Sequence, residues 1–300
     1  MRAAEASLTA VNARALLRAL RPLQWTKNSL LLAALVFDRR VFEGQRLAES
    51  LLAVVAFCCI CSGIYLVNDI RDAESDRLHP KKRLRPIAAG EVTPAQATVL
   101  AGILFAAGFS LAWLIRPAFL GIAAVYVALM MAYSFGLKRL VILDVFAIAA
   151  GFVIRAAGGA VAIAVPISPW LYVCTMLGAL LMGFGKRRHE LATLEEAAGK
   201  HRANLDAYSL PLLDQLIGIV ASATVIAYSL YTFDASNVPG NHAMMLTIPF
   251  VVYALFRYLY LVYRRDLGGS PEVLLFTDPP LLVSIVGWAL SSLVILYLTT

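Results

Sequence analysis

Runs of about twenty apolar residues recur along the chain, separated by short segments that hold most of its prolines and charges. A soluble helix interrupts its apolar stripe with polar residues at every turn. These runs do not, so they predict membrane-spanning helices at 29–42, 49–68, 93–115, 117–135, 141–163, 168–185, 211–231, 243–263 and 279–298. The first is interrupted by Asp38, Arg39 and Arg40 and is expected to be short, tilted or partly interfacial. Pro22, Pro117, Pro166, Pro169, Pro211 and the Pro279–Pro280 pair lie near the predicted ends, where proline costs a helix least. The expected fold is all-α: residues 1–300 form a single polytopic bundle of nine spans. No secretory leader is expected, because the first apolar run starts only near Leu30 and no small-residue cleavage site follows it.

Composition agrees with this pattern. With 60% hydrophobic and 15% charged residues and a mean hydropathy of +0.76, the chain is too apolar for an ordinary soluble domain. Its net charge of +7 does not point to nucleic acid, because the cations sit in short loops between spans. Cys58, Cys59, Cys61 and Cys174 lie inside apolar runs without metal-ligand or disulfide-framework spacing and are expected to pack. In the amphipathic segment 1–28, Arg14, Arg18 and Arg21 fall on one helical face. Leu16, Leu17, Leu20 and Leu23 fall on another, as suits a helix at an anionic membrane surface.

Lys and Arg are distributed unequally between the two sides. The N-terminal segment and the loops after spans 2, 4, 6 and 8 hold 20 of the 26, whereas the opposite loops hold Arg39, Arg40, Arg46 and Arg116, and Arg155 and Arg257 lie within spans. By the positive-inside rule this expects a multi-pass plasma-membrane protein with the polar loops 69–92 and 186–210 at the cytoplasm and Thr300 outside.

The densest chemistry follows span 2, in Asn68-Asp69-Ile70-Arg71-Asp72-Ala73-Glu74-Ser75-Asp76. If the helix continues, Asn68, Asp69, Asp72 and Asp76 fall at about 0°, 100°, 40° and 80°, one carboxylate-rich face. Hard oxygen ligands in that arrangement suit Mg²⁺, which takes one or two carboxylates and completes its octahedron with water and phosphate oxygens. Arg77, His79, Lys81, Lys82, Arg83 and Arg85 follow directly. Such a block serves topology, and it also suits a polyanionic, phosphorylated substrate. Within the spans, Asp144 and Arg155 lie about 16 Å apart along one helix and about 20° off the same face. A charge at the depth of Arg155 costs roughly 2.5 kcal/mol or more on insertion scales, so the pair is either a functional site or a buried structural pair. Arg257 is expected to snorkel at a span end.

The run Asn68-Asp69-x-x-Asp72-x-x-x-Asp76-Arg77-x-His79-Pro80-x-Lys82-x-x-Arg85-Pro86, continuing to Gly90, resembles the first aspartate-rich motif of the UbiA superfamily of intramembrane prenyltransferases. Tyr133-Ser134-Phe135-Gly136-Leu137-Lys138-Arg139 is similar to that family's tyrosine-to-lysine stretch. The family's second acidic motif is missing: after span 6 stands Gly185-Lys186-Arg187-Arg188-His189-Glu190, with Glu195, Glu196, Asp206 and Tyr208 beyond. This departure, together with Arg21-Pro22-x-Gln24-Trp25-x-Lys27-Asn28, resembles the decaprenyl-phosphate phosphoribosyltransferase branch.

That resemblance implies a Mg²⁺-dependent enzyme of lipid-linked cell-wall precursor synthesis, moving a 5-phosphoribosyl group from phosphoribosyl pyrophosphate to a polyprenyl phosphate within the bilayer. It implies Asn68, Asp72 and Asp76 as metal ligands, Asp69 orienting a water or ribose hydroxyl, and Lys82, Arg83 and Arg85 on the leaving group. Lys27, Asn28, Tyr133, Lys138, Asp144, Arg155, Lys186, Arg187 and Glu190 are further substrate-binding candidates. A conventional prenyltransferase using a prenyl diphosphate shares the first motif but is expected to carry the second. A non-enzymatic transporter is opposed by the lack of an internal repeat. Nothing in the sequence opposes a homo-oligomer.

A cysteine introduced in loop 69–92 should resist a membrane-impermeant thiol reagent in intact cells, and rapid labelling there would reverse the orientation.

Overall fold

The structure, a computed structural model, describes residues 13–80, 82–196, 205, 207–235 and 237–298. The chain runs through α1 (Ala13–Ala19), a 3₁₀ stretch (Pro22–Leu32) and α2 (Ala33–Phe37) into α3 (Gly44–Arg71) and α4 (Ala73–Arg77). It continues through α5 (Pro94–Ile115), α6 (Pro117–Phe135), α7 (Leu143–Ala162) and α8 (Pro169–Glu196). The last elements are α9 (Leu210–Asp234), α10 (Ile248–Arg264), α11 (Pro271–Thr277) and α12 (Pro279–Leu298). Among the described residues, seven helical segments are long and apolar enough to cross a membrane: α3, α5, α6, α7, α9, Ala243–Arg264 and α12.

Two expectations need correction. The segment 29–42 is no continuous helix, because the 3₁₀ stretch gives way to only five α-helical residues before Asp38 and the positive-φ Arg39 end it. The expected span 168–185 belongs to α8, which is 28 residues long and carries Lys186 to Glu190 on its second half rather than in a loop. Arg2, Asp206 and Thr300 lie outside the described residues, as do the side chains of Glu195 and Glu196.

Local chemistry sets the helix ends. Thr93 and Gln96 form a reciprocal capping box at the start of α5, and Ser209 caps α9 by accepting from the Leu212 N–H at 3.3 Å. Proline stands in the first turn of α5, α6, α9 and α10, where its missing N–H would have no helical partner. α1 packs against the start of the bundle through the buried Ala15 and Ala19, with Leu16 and Leu20 against the same cluster and Leu17 exposed.

α7 is the central element. Its small residues, among them Gly151, Ala156, Gly158, Gly159 and Ala160, are buried and let neighbouring backbones approach, which is how helices associate where lipid competes for every apolar contact. On one side Leu31, Phe57, Ile60, Phe119 and Tyr126 form a core with α3 and α6, with the Phe57 ring 5.2 Å from that of Tyr126. On the other, Val145, Phe184, Leu213, Ile217, Tyr258 and Leu281 join α7 to α8, α9, α10 and α12. Arg155 sits between the two, 5% exposed. It does not meet Asp144. It donates to Asn28 Oδ1 at 2.9 Å, to the Gly151 carbonyl at 3.0 Å and to the Tyr126 hydroxyl at 2.5 Å, with the Tyr126 ring 4.7 Å from its guanidinium. Arg257 reaches Asp278, just before the start of α12, through two hydrogen bonds at 3.0 and 2.8 Å.

A Cβ at Gly159 would overlap the Leu31 carbonyl, whereas one at Gly121 meets nothing. Gly159→Ala should therefore destabilise the protein by about 1–3 kcal/mol, read as a lower thermal midpoint in detergent, with Gly121→Ala unchanged as the control.

Candidate active site

The C-terminal ends of α3, α6, α8 and α10 meet the N-terminal ends of α7 and α9 at one end of the bundle, as the ion pairs and hydrogen bonds there show. The basic and acidic residues singled out from the sequence gather at this end. A cavity of about 590 Å³ lined by Phe37, Trp170, Cys174, Tyr228 and Trp288 lies at the other end, away from every one of those carboxylates except through the length of the bundle.

α3 stops at Arg71, and Asp72 separates it from α4. This break divides the expected carboxylate face. Asp69 and Asp76 are buried, 2% and 3% exposed, and both accept from Arg85 Nη1, at 3.1 and 2.6 Å. Arg21, held in a left-handed conformation before the 3₁₀ stretch, donates to the same Asp69 Oδ1 at 2.5 Å and stacks on Tyr65. Two guanidiniums therefore converge on Asp69 Oδ1.

Asp72 points elsewhere. Its Oδ1 accepts from Arg71 Nε at 3.1 Å and its Oδ2 lies 3.6 Å from Lys138 Nζ. Arg71 also donates to the Ser134 carbonyl at 2.6 Å and lies over the Phe135 ring, which docks the end of α3 on the end of α6. Asn68 is half-buried one turn before Asp72, and Lys82 and Arg83 are exposed on a single 3₁₀ turn. Among the described residues no group of three or more His, Cys, Asp or Glu side chains stands close enough to hold a metal ion by itself.

The α8 end contributes a buried network. Arg187, 3% exposed, donates Nε to Asp144 Oδ2 at 2.7 Å and pairs through Nη1 with Glu190. Asp144, 0% exposed, also accepts from the Tyr208 hydroxyl at 2.8 Å. Burial pushes the Tyr208 hydroxyl well above its ordinary pKa; hydrogen bonding to Asp144 adds to this, while the Ile142 N–H opposes it. Tyr208 therefore stays a neutral donor throughout the physiological range. Tyr133 is close enough to Arg187 to interact with its charge. Arg188 pairs with Asp214 at 2.7 Å and stacks on Tyr263, leaving Lys186, half-buried on the same turn, as the α8 cation with no carboxylate within 4 Å among the described residues.

Of the sequence candidates, Lys27 and Asn28 lie on the 3₁₀ stretch, Lys27 half-buried and Asn28 fully buried against Arg155. Asn28 Nδ2 also reaches Cys58 at 3.2 Å and Arg155 Nη2 reaches Cys61 at 3.4 Å, so two of the cysteines are polar partners as well as packing residues. Arg155 and Asn28 are thus beneath the charged end: Cys61 precedes Asp69 by eight residues, about 12 Å along α3. Arg21, Arg71, Tyr126 and Tyr208 are parts of this region that the sequence reading left without roles. Arg71 beside Asp72 is visible locally; the partners of Arg21 and Tyr208 are 48 and 66 residues distant and give no local signal.

Residues 29–277 match the model of the UbiA prenyltransferase family. The chain is 36% identical over 288 residues to a decaprenyl-phosphate phosphoribosyltransferase of Mycolicibacterium smegmatis, covering 91% of this chain and 89% of that one. It is 35% identical to the protein of the same name in Corynebacterium glutamicum, over 94% and 87% of the two chains. Its fold is similar to that of a UbiA homolog from Archaeoglobus fulgidus solved with GPP and Mg²⁺, with a TM-score of 0.70, 17% identity and coverage of 94% and 99%. With the all-helical bundle, the aspartate-rich α3 end and this match over most of its length, the chain belongs to the UbiA prenyltransferase family.

Proposed function

We propose that this protein transfers a 5-phosphoribosyl group from phosphoribosyl pyrophosphate to a polyprenyl phosphate, an early step in lipid-linked arabinose and cell-wall precursor synthesis. The observation that carries the reading is the α8 end: where a second diphosphate–metal site would need clustered acids, Arg187 and Glu190 are locked into a network around Asp144, and Lys186 stands beside them with no carboxylate within 4 Å among the described residues. A donor with two anionic ends suits that asymmetry, one end at the α3 acids and one at a cation. Relatives that match about nine-tenths of the chain carry the corresponding name.

The residues fit a divalent cation of the Mg²⁺ type, held jointly with substrate. Asn68 and Asp72 supply hard oxygens one helical turn apart, and Mg²⁺ commonly takes only one or two carboxylates beside phosphate oxygens and water. Asp76 would join them on leaving Arg85, which then turns to the diphosphate. Such an ion neutralises the diphosphate when bound. The chain's own part is to hold the two substrates in line and to stabilise separating charge. As the C1–O bond stretches, positive charge grows on the ribose and negative charge on pyrophosphate, where Lys82, Arg83, Arg85 and Lys138 stand ready. The acceptor phosphate is already anionic near neutral pH, so no strong general base is required. The polyprenyl tail lies between the spans, in a multi-pass protein whose catalytic end faces the cytoplasm from the plasma membrane.

Purified protein given Mg²⁺, radiolabelled phosphoribosyl pyrophosphate and a polyprenyl phosphate should release pyrophosphate and move label into an acid-labile lipid. Consumption of a prenyl diphosphate with an aromatic acceptor, and no labelled lipid, would replace this reading by the conventional one. Asp72→Ala should lower turnover at least about a hundredfold, roughly 3 kcal/mol of transition-state stabilisation, with an unchanged unfolding midpoint. Lys186→Ala should act mainly on KM, since a 5-phosphate or lipid phosphate is bound equally in ground and transition states.

A further inference from the structure

Between α6 and α7 the chain makes a turn that few residues would choose. Ile142 has φ +68° and ψ −48°, and the Leu143 N–H bonds back to the Val141 carbonyl at 2.7 Å, which together make a γ-turn of the strained, positive-φ kind. A β-branched residue in that conformation is an outlier that persists only where its surroundings over-determine it. The carbonyl of Ile142 accepts from Val145 and Phe146 as α7 begins, both at 3.0 Å, whereas its N–H has no backbone acceptor. The Tyr208 hydroxyl accepts from that N–H at 2.6 Å and donates to Asp144 Oδ1 at 2.8 Å, and Arg187 donates to the other carboxylate oxygen. Three residues from three elements thus clamp one strained turn. Four residues before Ile142, on the 3₁₀ turn Leu137–Arg139, is Lys138, whose ammonium lies 3.6 Å from Asp72.

We propose that Tyr208, acting with Asp144 and Arg187, is a positioning residue: it holds the Ile142 γ-turn and through it sets Lys138 against Asp72 and the donor diphosphate. The inference rests on the reading of this end as a diphosphate site. Tyr208 reaches the turn from the segment that enters α9, so the long connection after α8 is tied to the α6–α7 connection through one hydroxyl. Loss of that hydroxyl takes from the Ile142 N–H the acceptor it has in the fold and lets the turn relax toward ordinary backbone angles, carrying Lys138 with it. A glycine at 142 takes φ +68° without strain and makes the clamp dispensable.

The test uses full-length protein in detergent or nanodiscs, with the diphosphate donor that supports wild-type turnover; absence of turnover with phosphoribosyl pyrophosphate but not with a prenyl diphosphate refutes the proposed function and leaves this cycle intact. Tyr208→Phe is expected to raise donor KM about tenfold with kcat within about twofold, and in a Lys138→Ala background to add less than about twofold, because both changes remove one interaction. Ile142→Gly should bring the donor KM of Tyr208→Phe back to within about threefold of wild type. Equal factors for Tyr208→Phe with and without Lys138, or a lowered unfolding midpoint with unchanged KM, overturn the proposal. Should Tyr208→Phe alone fail to fold, the same change must fold in the Ile142→Gly background with a donor KM near that of Ile142→Gly; failure there overturns it equally.

Discussion

A guanidinium cannot stand in the low-dielectric interior of a membrane bundle without acceptors around it, and two buried arginines organise this fold under that constraint. Arg187 is neutralised by Asp144 and Glu190. Arg155 is surrounded by neutral groups: an amide oxygen, a main-chain carbonyl, a phenol and a thiol, with two aromatic rings against its faces. Each draws together elements that apolar contact alone would leave free to slide, since lipid is as good a neighbour for leucine as another helix is. Removing one partner of the Arg187–Asp144 pair would strand a buried charge, at about 3–5 kcal/mol by the behaviour of such pairs elsewhere.

The same rule shapes the charged end. Asp69 and Asp76 do not form an open acidic cluster; Arg85 bridges them and Arg21 closes on Asp69 from the N-terminal segment. Asp72, freed from that group by the end of α3, faces Lys138 instead. The acidic residues of this end are therefore held in two charge-paired groups. Preorganisation here lies in backbone docking, such as Arg71 on the Ser134 carbonyl, more than in a rigid ligand cage.

Much of the fold was legible because a bilayer leaves a chain few choices: backbone groups must bond internally, so a twenty-residue apolar run can only be a helix. Eight of the nine predicted runs fall on helices, including α8, whose first half holds the apolar stretch. The exception, 29–42, is where local apolarity misled. Leu30 to Leu35 are apolar because they pack against Gly158, Gly159 and Ala160 at close range, and the approach of Leu31 to Gly159 fixes a 3₁₀ path that no periodicity announces. α8 was cut short because Lys186 to Glu190 read as a loop; their charges are tolerated in a helix because Asp144 and Asp214 meet them.

The sequence by itself determined the class of fold and the family, since apolar length and the Asn68 to Arg85 spacing are properties of contiguous residues. Only the tertiary structure decided the pairings: that Asp144 belongs to Arg187 and not Arg155, that Asn28 belongs to Arg155, that Asp69 is held by Arg21, and that Tyr208 clamps Ile142. The reason is physical. Ion pairs and hydrogen bonds are selected by where helices cross, and partners separated by between 43 and 127 residues meet only once the bundle has closed.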